Sequence, residues 1–243
     1  MRIAVISDIH SNFEAFEAVL KHIKKAGVDE VISLGDNIGY GADPEEVIRL
    51  LCKNSIDSVL GNHELALLNK RYLAGFNPTA RAALIKNRKM LSKASSEYIS
   101  YFKPFFVRFG CRFVHGLPPD SVSTYLSLTS ETKLERIMAA LSQKISFTGH
   151  THLLGIVELQ KHGLIRRKIK KNIERLDKES RYIINAGSIG QQRDGDARAK
   201  FVIWDSDAGT LEPVYIEYDK EAAAEKIRKA GISDRYAKIL LKT

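Results

Sequence analysis

A short apolar run that ends in a glycine-rich turn constrains the fold of this chain more than any other stretch. Residues 31–34 (Val-Ile-Ser-Leu) predict a parallel strand buried on both faces, because they are apolar and partly β-branched. Asp36 follows at the carboxyl end of this strand, where such sheets bind ligands, and Gly35 and Gly39 leave room for close approach. An Asp in such a turn is more often structural. Whether Asp36 has a functional role therefore depends on which side chains follow the other predicted strands.

Repeated strand–helix units predict a mainly parallel sheet in the N-terminal part of the chain. Residues 2–7 and 56–60 predict the first and third strands, and the helical spacing of apolar residues after Asn12 predicts the first helix. Asp43 and Pro44 predict the start of the second helix, as its N-cap and its first residue.

The rest of the chain predicts a helical excursion, a second sheet and two closing helices, all within a single domain of residues 1–243. Residues 65–103 have a helical pattern, with Thr79 and Ser95 as helix starts, and we expect this cap-like excursion near the mouth of the site. Short strands at close spacing then predict a more antiparallel sheet, covered by the closing helices. The strands of this sheet are predicted at residues 153–159, 164–169, 182–184, 201–204 and 214–218, after a hairpin at 105–109 and 111–114 and a strand at 145–148, and the helices at 221–229 and 233–241.

The charge of the chain favours an anionic partner without pointing to nucleic acid. The formal net charge is +9, and the densest basic run, residues 166–171, follows Gly163 in a predicted hairpin. Because no aromatic residues interleave with it, this run fits a charged edge strand better than a nucleic-acid surface. No apolar run approaches the ~18 residues of a membrane span. We therefore expect a cytoplasmic protein with no membrane partner, whose Cys52 and Cys111 are free thiols; its oligomeric state is left open.

Five of the seven histidines follow predicted strands, and each stands beside Asp, Asn, Gly or another His; they are His10, His63, His115, His150 and His152. Imidazole and carboxylate ligands suit divalent Mn, Fe or Zn, whereas the lack of thiolates argues against a structural zinc site. Alternation at a strand end would direct Asp8 and His10 to the same side, and likewise His150 and His152. Asp36 is the natural bridge between two cations ~3.5–4 Å apart, which would lower the pKa of a shared water towards ~7.

Together these motifs resemble those of the calcineurin-like metallophosphoesterase superfamily. The resemblance rests on Asp8-x-His10, Gly35-Asp36, Gly61-Asn62-His63-Glu64, His115 and Gly149-His150-x-His152, and extends over about residues 3 to 190. It implies an α/β fold: a four-layer α/β/β/α sandwich of two mixed sheets, with a helical insertion near the active site. In such a sandwich a dimetal site lies at the strand ends between the sheets.

The resemblance also implies roles for individual residues. The ligands of the first metal would be Asp8, His10, Asp36 and His152, and those of the second Asp36, Asn62, His115 and His150. His63 is similar to the non-ligand histidine of the family, which would donate a proton to the leaving oxygen or stabilise charge there. The implied cofactors are two divalent ions, with Mn²⁺ preferred and Fe²⁺, Zn²⁺ or Ni²⁺ as alternatives.

The substrate is constrained only to phosphate esters. Residues 39–44 and 185–196 look like a small prokaryotic branch of the family, in which Ala186 replaces a common proline. Arg193 and Arg81 are candidates for binding a small phosphorylated substrate, although Arg193 could equally pair with a neighbouring Asp. We expect a hydrolase of phosphodiesters or of nucleotides such as dinucleoside polyphosphates. The alternatives are a phosphomonoesterase, including a protein phosphatase, or an inert metal-stabilised scaffold. His63 argues against the scaffold, because a scaffold needs no proton donor for a leaving group.

Overall fold

Two mixed sheets of six strands form the centre of the computed structural model, which describes residues 1–242. The strands are β1 (Arg2–Ile6), β2 (Glu30–Ser33), β3 (Asp57–Ser58), β4 (Phe105–Arg108), β5 (Cys111–Val114), β6 (Ile145–Thr148), β7 (Gly155–Gln160), β8 (Gly163–Arg167), β9 (Glu174–Arg175), β10 (Arg181–Asn185), β11 (Ala199–Asp205) and β12 (Thr210–Ile216). The first sheet has the order β3-β2-β1-β11-β12-β9, and the second β4-β5-β6-β10-β7-β8. Strands β1, β2 and β3 are parallel to one another, as predicted, whereas β11 is antiparallel to β1.

Helices lie on the outer faces of the sheets and beside the strand ends. They are α1 (Phe13–Ala26), α2 (Pro44–Lys53), α3 (Asn62–Leu68), α4 (Lys70–Ala74), α5 (Pro78–Met90), α6 (Lys93–Ser100), α7 (Glu131–Ala140), α8 (Lys220–Lys229) and α9 (Asp234–Leu240). The four helices α3 to α6 follow β3, so the predicted helical pattern of this stretch is found in the structure. None of the helices within residues 1–242 is long and apolar enough to cross a bilayer.

Alternation along the strands builds the four layers. On β1, Ala4 and Ile6 face the helical side and join the core that contains Phe16 of α1, whereas Ile3 and Val5 join the core between the sheets. On the far side, Leu134 and Met138 of α7 pack with Ile183 of β10. The order helix, sheet, sheet, helix confirms the predicted α/β/β/α sandwich.

Two helix starts differ from the predictions, and in one of them a proline occupies the first helical position. Asn77 caps α5 and accepts from the backbone N–H of Ala80, so Thr79 already lies inside the first turn after Pro78. Ser92, rather than Ser95, caps α6 in the same way.

Contacts elsewhere in the chain also change two of the predicted roles. Asp43 stands at the N-cap of α2 but makes no cap hydrogen bond, because its carboxylate binds Lys226 of α8. Within residues 1–242 the closing helices pack mainly on each other, on α1 and on Ala42 and Ala83, rather than on a sheet.

The basic run begins on an edge strand, as predicted. Strand β8 is the last strand of its sheet, and Arg167 at its end pairs with Glu158 and Glu174. Beyond the strand, Lys168 and Lys170 are exposed. The run is therefore partly neutralised and otherwise solvated. Both cysteines are free thiols.

Candidate dimetal centre

Loops that follow four strands, together with the start of α3, bring eight polar side chains to one buried place. Asp8 and His10 follow β1, Asp36 follows β2, Asn62 and His63 begin α3, His115 follows β5, and His150 and His152 follow β6. All eight side chains belong to residues that are no more than 8% exposed. The loops come from both sheets, so the candidate site lies at their common edge, the place that the family resemblance implies.

The backbone of this site departs from the predicted extended geometry. Asp8, His10, Asp36, His150 and His152 all have positive φ, between 49° and 66°. Such values are uncommon outside glycine, and residues with strained backbone tend to collect at functional sites. Alternation of an extended strand therefore does not explain how Asp8 and His10, or His150 and His152, reach the site. His150 and His152 contribute to two different groups of ligand atoms.

The first group consists of Asp8, His10 and His152. The Nε2 atoms of His10 and His152 are 3.1 Å apart, and Asp8 Oδ1 lies 3.3 Å from Nε2 of His152. Both Nδ1 atoms donate to backbone carbonyls, those of Ile38 and Gln191, so in the neutral rings the lone pairs are on Nε2. Asp8 Oδ1 is buried and has no hydrogen-bond partner within residues 1–242. Two facing lone pairs beside an unpartnered carboxylate oxygen fit a cation between them.

The second group consists of Asp36, His115 and His150, with Asn62 beside them. Nδ1 of His115 donates to the carbonyl of Leu34 at 2.7 Å, and its Nε2 lies 3.2 Å from both Asp36 Oδ2 and Asn62 Oδ1. Nε2 of His150 donates to the carbonyl of Ser123, which leaves the lone pair on Nδ1. These donors again suit a borderline divalent ion.

Asp36 stands between the two groups. Its Oδ2 is 3.2 Å from Nε2 of His115 in one group and 3.8 Å from Nε2 of His10 in the other. Its Oδ1 accepts from the backbone N–H of His63 at 2.8 Å, which fixes the carboxylate. This is the position that a bridging carboxylate would need.

Residues 1–209 match the sequence model of the calcineurin-like phosphoesterase superfamily domain. The chain belongs to this superfamily. Over 242 residues it is 33% identical to the uncharacterized protein MJ0912 of Methanocaldococcus jannaschii, an alignment that covers 93% of this chain and 92% of that protein. The predicted family and its enzyme class, a phosphoric ester hydrolase, are thereby confirmed.

Solved structures agree with this assignment. The crystal structure of a metallophosphoesterase from Sphaerobacter thermophilus has a TM-score of 0.83 and 32% identity, and covers 100% of this chain and 98% of its own. A hypothetical protein from Pyrococcus horikoshii, PH1004, has a TM-score of 0.78 and 19% identity, covers 98% of this chain and 97% of its own, and supports the fold alone.

The electrostatics of this phosphoesterase site favour positive charge beside Asp36. Burial raises the pKa of the Asp36 carboxyl, but His115, His63 and His10 outweigh burial and hold that pKa well below its usual range. Burial lowers the pKa of His115, yet the neighbouring Asp36 carboxylate raises it to about 9. The carboxylate field that favours a proton here would equally favour a bound cation.

His63 has the surroundings of a held, neutral imidazole. Burial lowers its pKa to about 4, so it is uncharged near pH 7. The ring packs edge-on against Tyr40 and Phe76, at centroid distances of 4.5 and 5.2 Å. Its Nδ1 is buried and has no hydrogen-bond partner within residues 1–242. It also lies close enough to His10 and Asp36 to form a third group of potential ligands, so geometry alone leaves its non-ligand role a prediction.

Glu64 supports the site in a way that the sequence analysis missed. Its carboxylate accepts from the backbone N–H groups of Asp36, Asn37, Ile38 and Gly61, at 2.7–3.2 Å. The turn that carries Asp36 is thereby tied to the start of α3. The available signal was the spacing Gly61-x-x-Glu64, which is that of a capping box.

Asn87 and Tyr40 were also missed. The Asn87 side chain is buried on α5; its oxygen accepts from the N–H of Gly39 and its amide donates to the carbonyl of Gly41. The Tyr40 ring, on the same turn, lies 4.4 Å from the ring of His10. Nothing in the local sequence of α5 marks Asn87, because its partners are 46 and 48 residues away.

The two arginines proposed for substrate binding lie outside the buried centre. Arg193 is exposed, and its Nη2 donates to Oε1 of Gln191 at 3.2 Å. It pairs with neither neighbouring carboxylate within the described chain, because Asp194 binds Lys200 and Asp196 binds Arg198. The alternative of an ion pair for Arg193 is therefore wrong. Arg81 is half-buried on α5, and its role stays a prediction.

Proposed function

We propose that this phosphoesterase is a dimetal-dependent hydrolase that acts on phosphodiesters or on nucleotides such as dinucleoside polyphosphates. One observation carries the proposal: the Asp36 carboxylate stands between two groups of imidazole and carboxylate ligand atoms. The cofactors would be two divalent ions, Mn²⁺ first and Fe²⁺, Zn²⁺ or Ni²⁺ otherwise. The substrate would be a small phosphorylated molecule, and we expect the reaction in the cytoplasm.

The proposed ligands of the two ions correspond to the two groups of ligand atoms in the site. Asp8, His10, Asp36 and His152 would hold one ion, and Asp36, Asn62, His115 and His150 the other. When bound, such a pair supplies a hydroxide at neutral pH and positive charge against the phosphate oxygens. The backbone acceptors of the imidazoles, at Ile38, Leu34, Ser123 and Gln191, hold each ring in the orientation that ligation would need.

His63 would act on the leaving oxygen. A neutral imidazole keeps one N–H, which can donate a hydrogen bond to charge that develops on that oxygen. The surrounding Tyr40 and Phe76 rings restrict its rotation and exclude water. Of the two roles considered for His63, stabilisation of charge therefore agrees better with its surroundings than transfer of a second ring proton.

We also propose that the helices over residues 65–103 form a cap within one domain of 1–243. Asn87 of α5 binds the turn beside Asp36, and Phe76, between α4 and α5, contacts His63. These contacts support a role for the excursion in positioning the catalytic loops.

The test is hydrolysis by the purified protein with added Mn²⁺. We expect turnover of bis-p-nitrophenyl phosphate, with p-nitrophenyl phosphate cleaved more slowly, and loss of both activities in Asp36→Asn, which removes the bridging charge at constant size. Preference for the monoester would favour a phosphomonoesterase. Inertness towards both substrates across Mn²⁺, Fe²⁺, Zn²⁺ and Ni²⁺ would favour a scaffold.

A further inference from the structure

A second, basic cavity lies beside the candidate centre, where the loop after β10 meets α9. Its volume is about 330 Å³, and its lining includes Arg193 and Asp196 from the loop, Arg235 and Ile239 from α9, and Lys242 after it. Of these residues only Arg193 and Asp196 lie inside the region matched by the family model, residues 1–209. The part contributed by α9 is therefore a feature outside the matched domain.

Positive charge exceeds negative charge in the lining of this cavity. Three of its lining side chains are cations, those of Arg193, Arg235 and Lys242, and within residues 1–242 no carboxylate lies in ion-pair distance of them. The carboxylate of Asp196 is occupied elsewhere, because Arg198 binds both of its oxygens, at 3.0 and 3.2 Å from Nε. An anion is the ligand that three cations around one cavity would take.

The cavity is linked to the candidate centre through Gln191. Its backbone carbonyl accepts from Nδ1 of His152, and its side-chain oxygen accepts from Arg193. One residue thus positions both an imidazole of the centre and a cation of the cavity.

A chain of ring contacts forms a second link. The Tyr236 ring lies 4.6 Å from that of Tyr40, which in turn lies 4.5 Å from the ring of His63. Tyr236 follows Arg235 directly on α9, so this chain of ring contacts begins beside the cavity and ends at the candidate catalytic histidine.

We propose that this cavity is an anion subsite for a second phosphate of the substrate, distal to the phosphate that is cleaved. The inference rests on the proposed function and narrows it: the preferred substrates carry several phosphates, as nucleoside and dinucleoside polyphosphates do. A simple diester has no group to place there. Arg235 and Lys242 would then determine specificity, with Arg193 nearest the catalytic loops.

The experiment compares substrates with and without a distal phosphate. With Mn²⁺, Arg235→Gln is expected to raise KM for a dinucleoside tetraphosphate about fivefold relative to KM for bis-p-nitrophenyl phosphate, since an exposed charge contact is worth up to about 1 kcal/mol. The combined change of Arg193→Gln and Arg235→Gln should raise that ratio further. Arg228→Gln is the matched control: this exposed arginine of α8 binds Asp234 outside the cavity, and its loss should leave both KM values unchanged.

Failure of the subsite differs from failure of the proposed function. Cleavage of bis-p-nitrophenyl phosphate without cleavage of the tetraphosphate, or equal KM changes for both substrates in Arg235→Gln, would overturn the subsite alone. If neither substrate is cleaved, the proposed function is wrong. Calorimetric binding of inorganic tripolyphosphate to the metal-free protein then tests whether the cavity is an anion subsite. Weaker binding by Arg235→Gln, with no change in Arg228→Gln, would support it; equal binding by wild type and Arg235→Gln would overturn it.

Discussion

His63 shows at the scale of one residue how the fold prepares a side chain for its proposed role. The backbone N–H of His63 binds Asp36, and its ring is confined between two aromatic neighbours. A hydrogen bond from this imidazole gains importance as the leaving oxygen acquires more negative charge. The benefit should therefore be largest for poor leaving groups.

We expect His63→Gln to lower kcat by about a hundredfold for an alkyl phosphodiester, and by much less for a p-nitrophenyl ester, whose leaving group needs little help. Metal content, measured by mass spectrometry, should stay at the wild-type level. His22→Gln is a suitable control, because His22 lies on α1 and packs near Phe201, away from the centre. An equal loss on both esters, or a loss of metal, would show that His63 acts as a ligand instead.

Glu64 provides a test of stability at the same scale. Four backbone N–H groups converge on its buried carboxylate, and Glu64→Gln would turn an NH₂ group towards some of them. We expect the free energy of unfolding to fall by about 2–3 kcal/mol, measured by urea denaturation. Glu97→Gln, on the exposed face of α6, should change it by less than about 0.5 kcal/mol. Similar values for the two variants would refute a supporting role.

The sequence was informative about residue types and poor at backbone conformation. Asp8, His10 and Asp36 could be placed at strand ends, because apolar runs mark the strands and their chemistry is visible in the residue names. Their left-handed backbone could not be predicted, because only glycine signals such conformations reliably and these residues are not glycine. The role of Asn87 could not be predicted either, because its partner Gly39 is distant in the sequence and only the tertiary fold brings the two together.

At the scale of elements, the strands followed from apolar runs and the four layers from the family resemblance, whereas sheet order and strand lengths did not follow from the sequence: β11 and β12, predicted for the second sheet, lie in the first. The predicted third strand, residues 56–60, is reduced to Asp57–Ser58, since its neighbour β2 pairs with only these residues. Both sheets are mixed, and the antiparallel β1–β11 pair brings Arg2 opposite Asp205, a contact no local pattern encodes. The sandwich instead depends on the face that each strand buries between the sheets.

The packing between the sheets can be measured through Phe113 of β5. Its ring is fully buried and stacks on that of Phe147, with centroids 5.4 Å apart. Phe113→Ala should lower the free energy of unfolding by about 3–5 kcal/mol, because it leaves a cavity and removes an aromatic pair. Phe105→Ala is the matched change on edge strand β4, where the side chain is 37% exposed, and it should cost clearly less. Equal losses would mean that the interface between the sheets is not the main core.

At the scale of the whole molecule, the proposed metal ligands connect the two sheets. Asp8 and Asp36 follow strands of the first sheet, whereas His115, His150 and His152 follow strands of the second. Ions held by both sets would therefore bind the native arrangement and not the unfolded chain. Their binding should appear as stability of the entire domain, and not only as activity.

We expect Mn²⁺ to raise the melting temperature of the protein. A ligand at about 100 times its Kd stabilises the native state by about 2.7 kcal/mol per site. For a chain of this size each kcal/mol corresponds to roughly 2–4 °C, so one filled site predicts a rise of roughly 5–10 °C. Differential scanning calorimetry with and without Mn²⁺ measures this rise in melting temperature. Asp36→Asn should lose most of the rise because it weakens both sites, and His22→Gln should retain it. If none of Mn²⁺, Fe²⁺, Zn²⁺ and Ni²⁺ changes the melting temperature, the imidazoles and carboxylates at the edge of the sheets hold no metal.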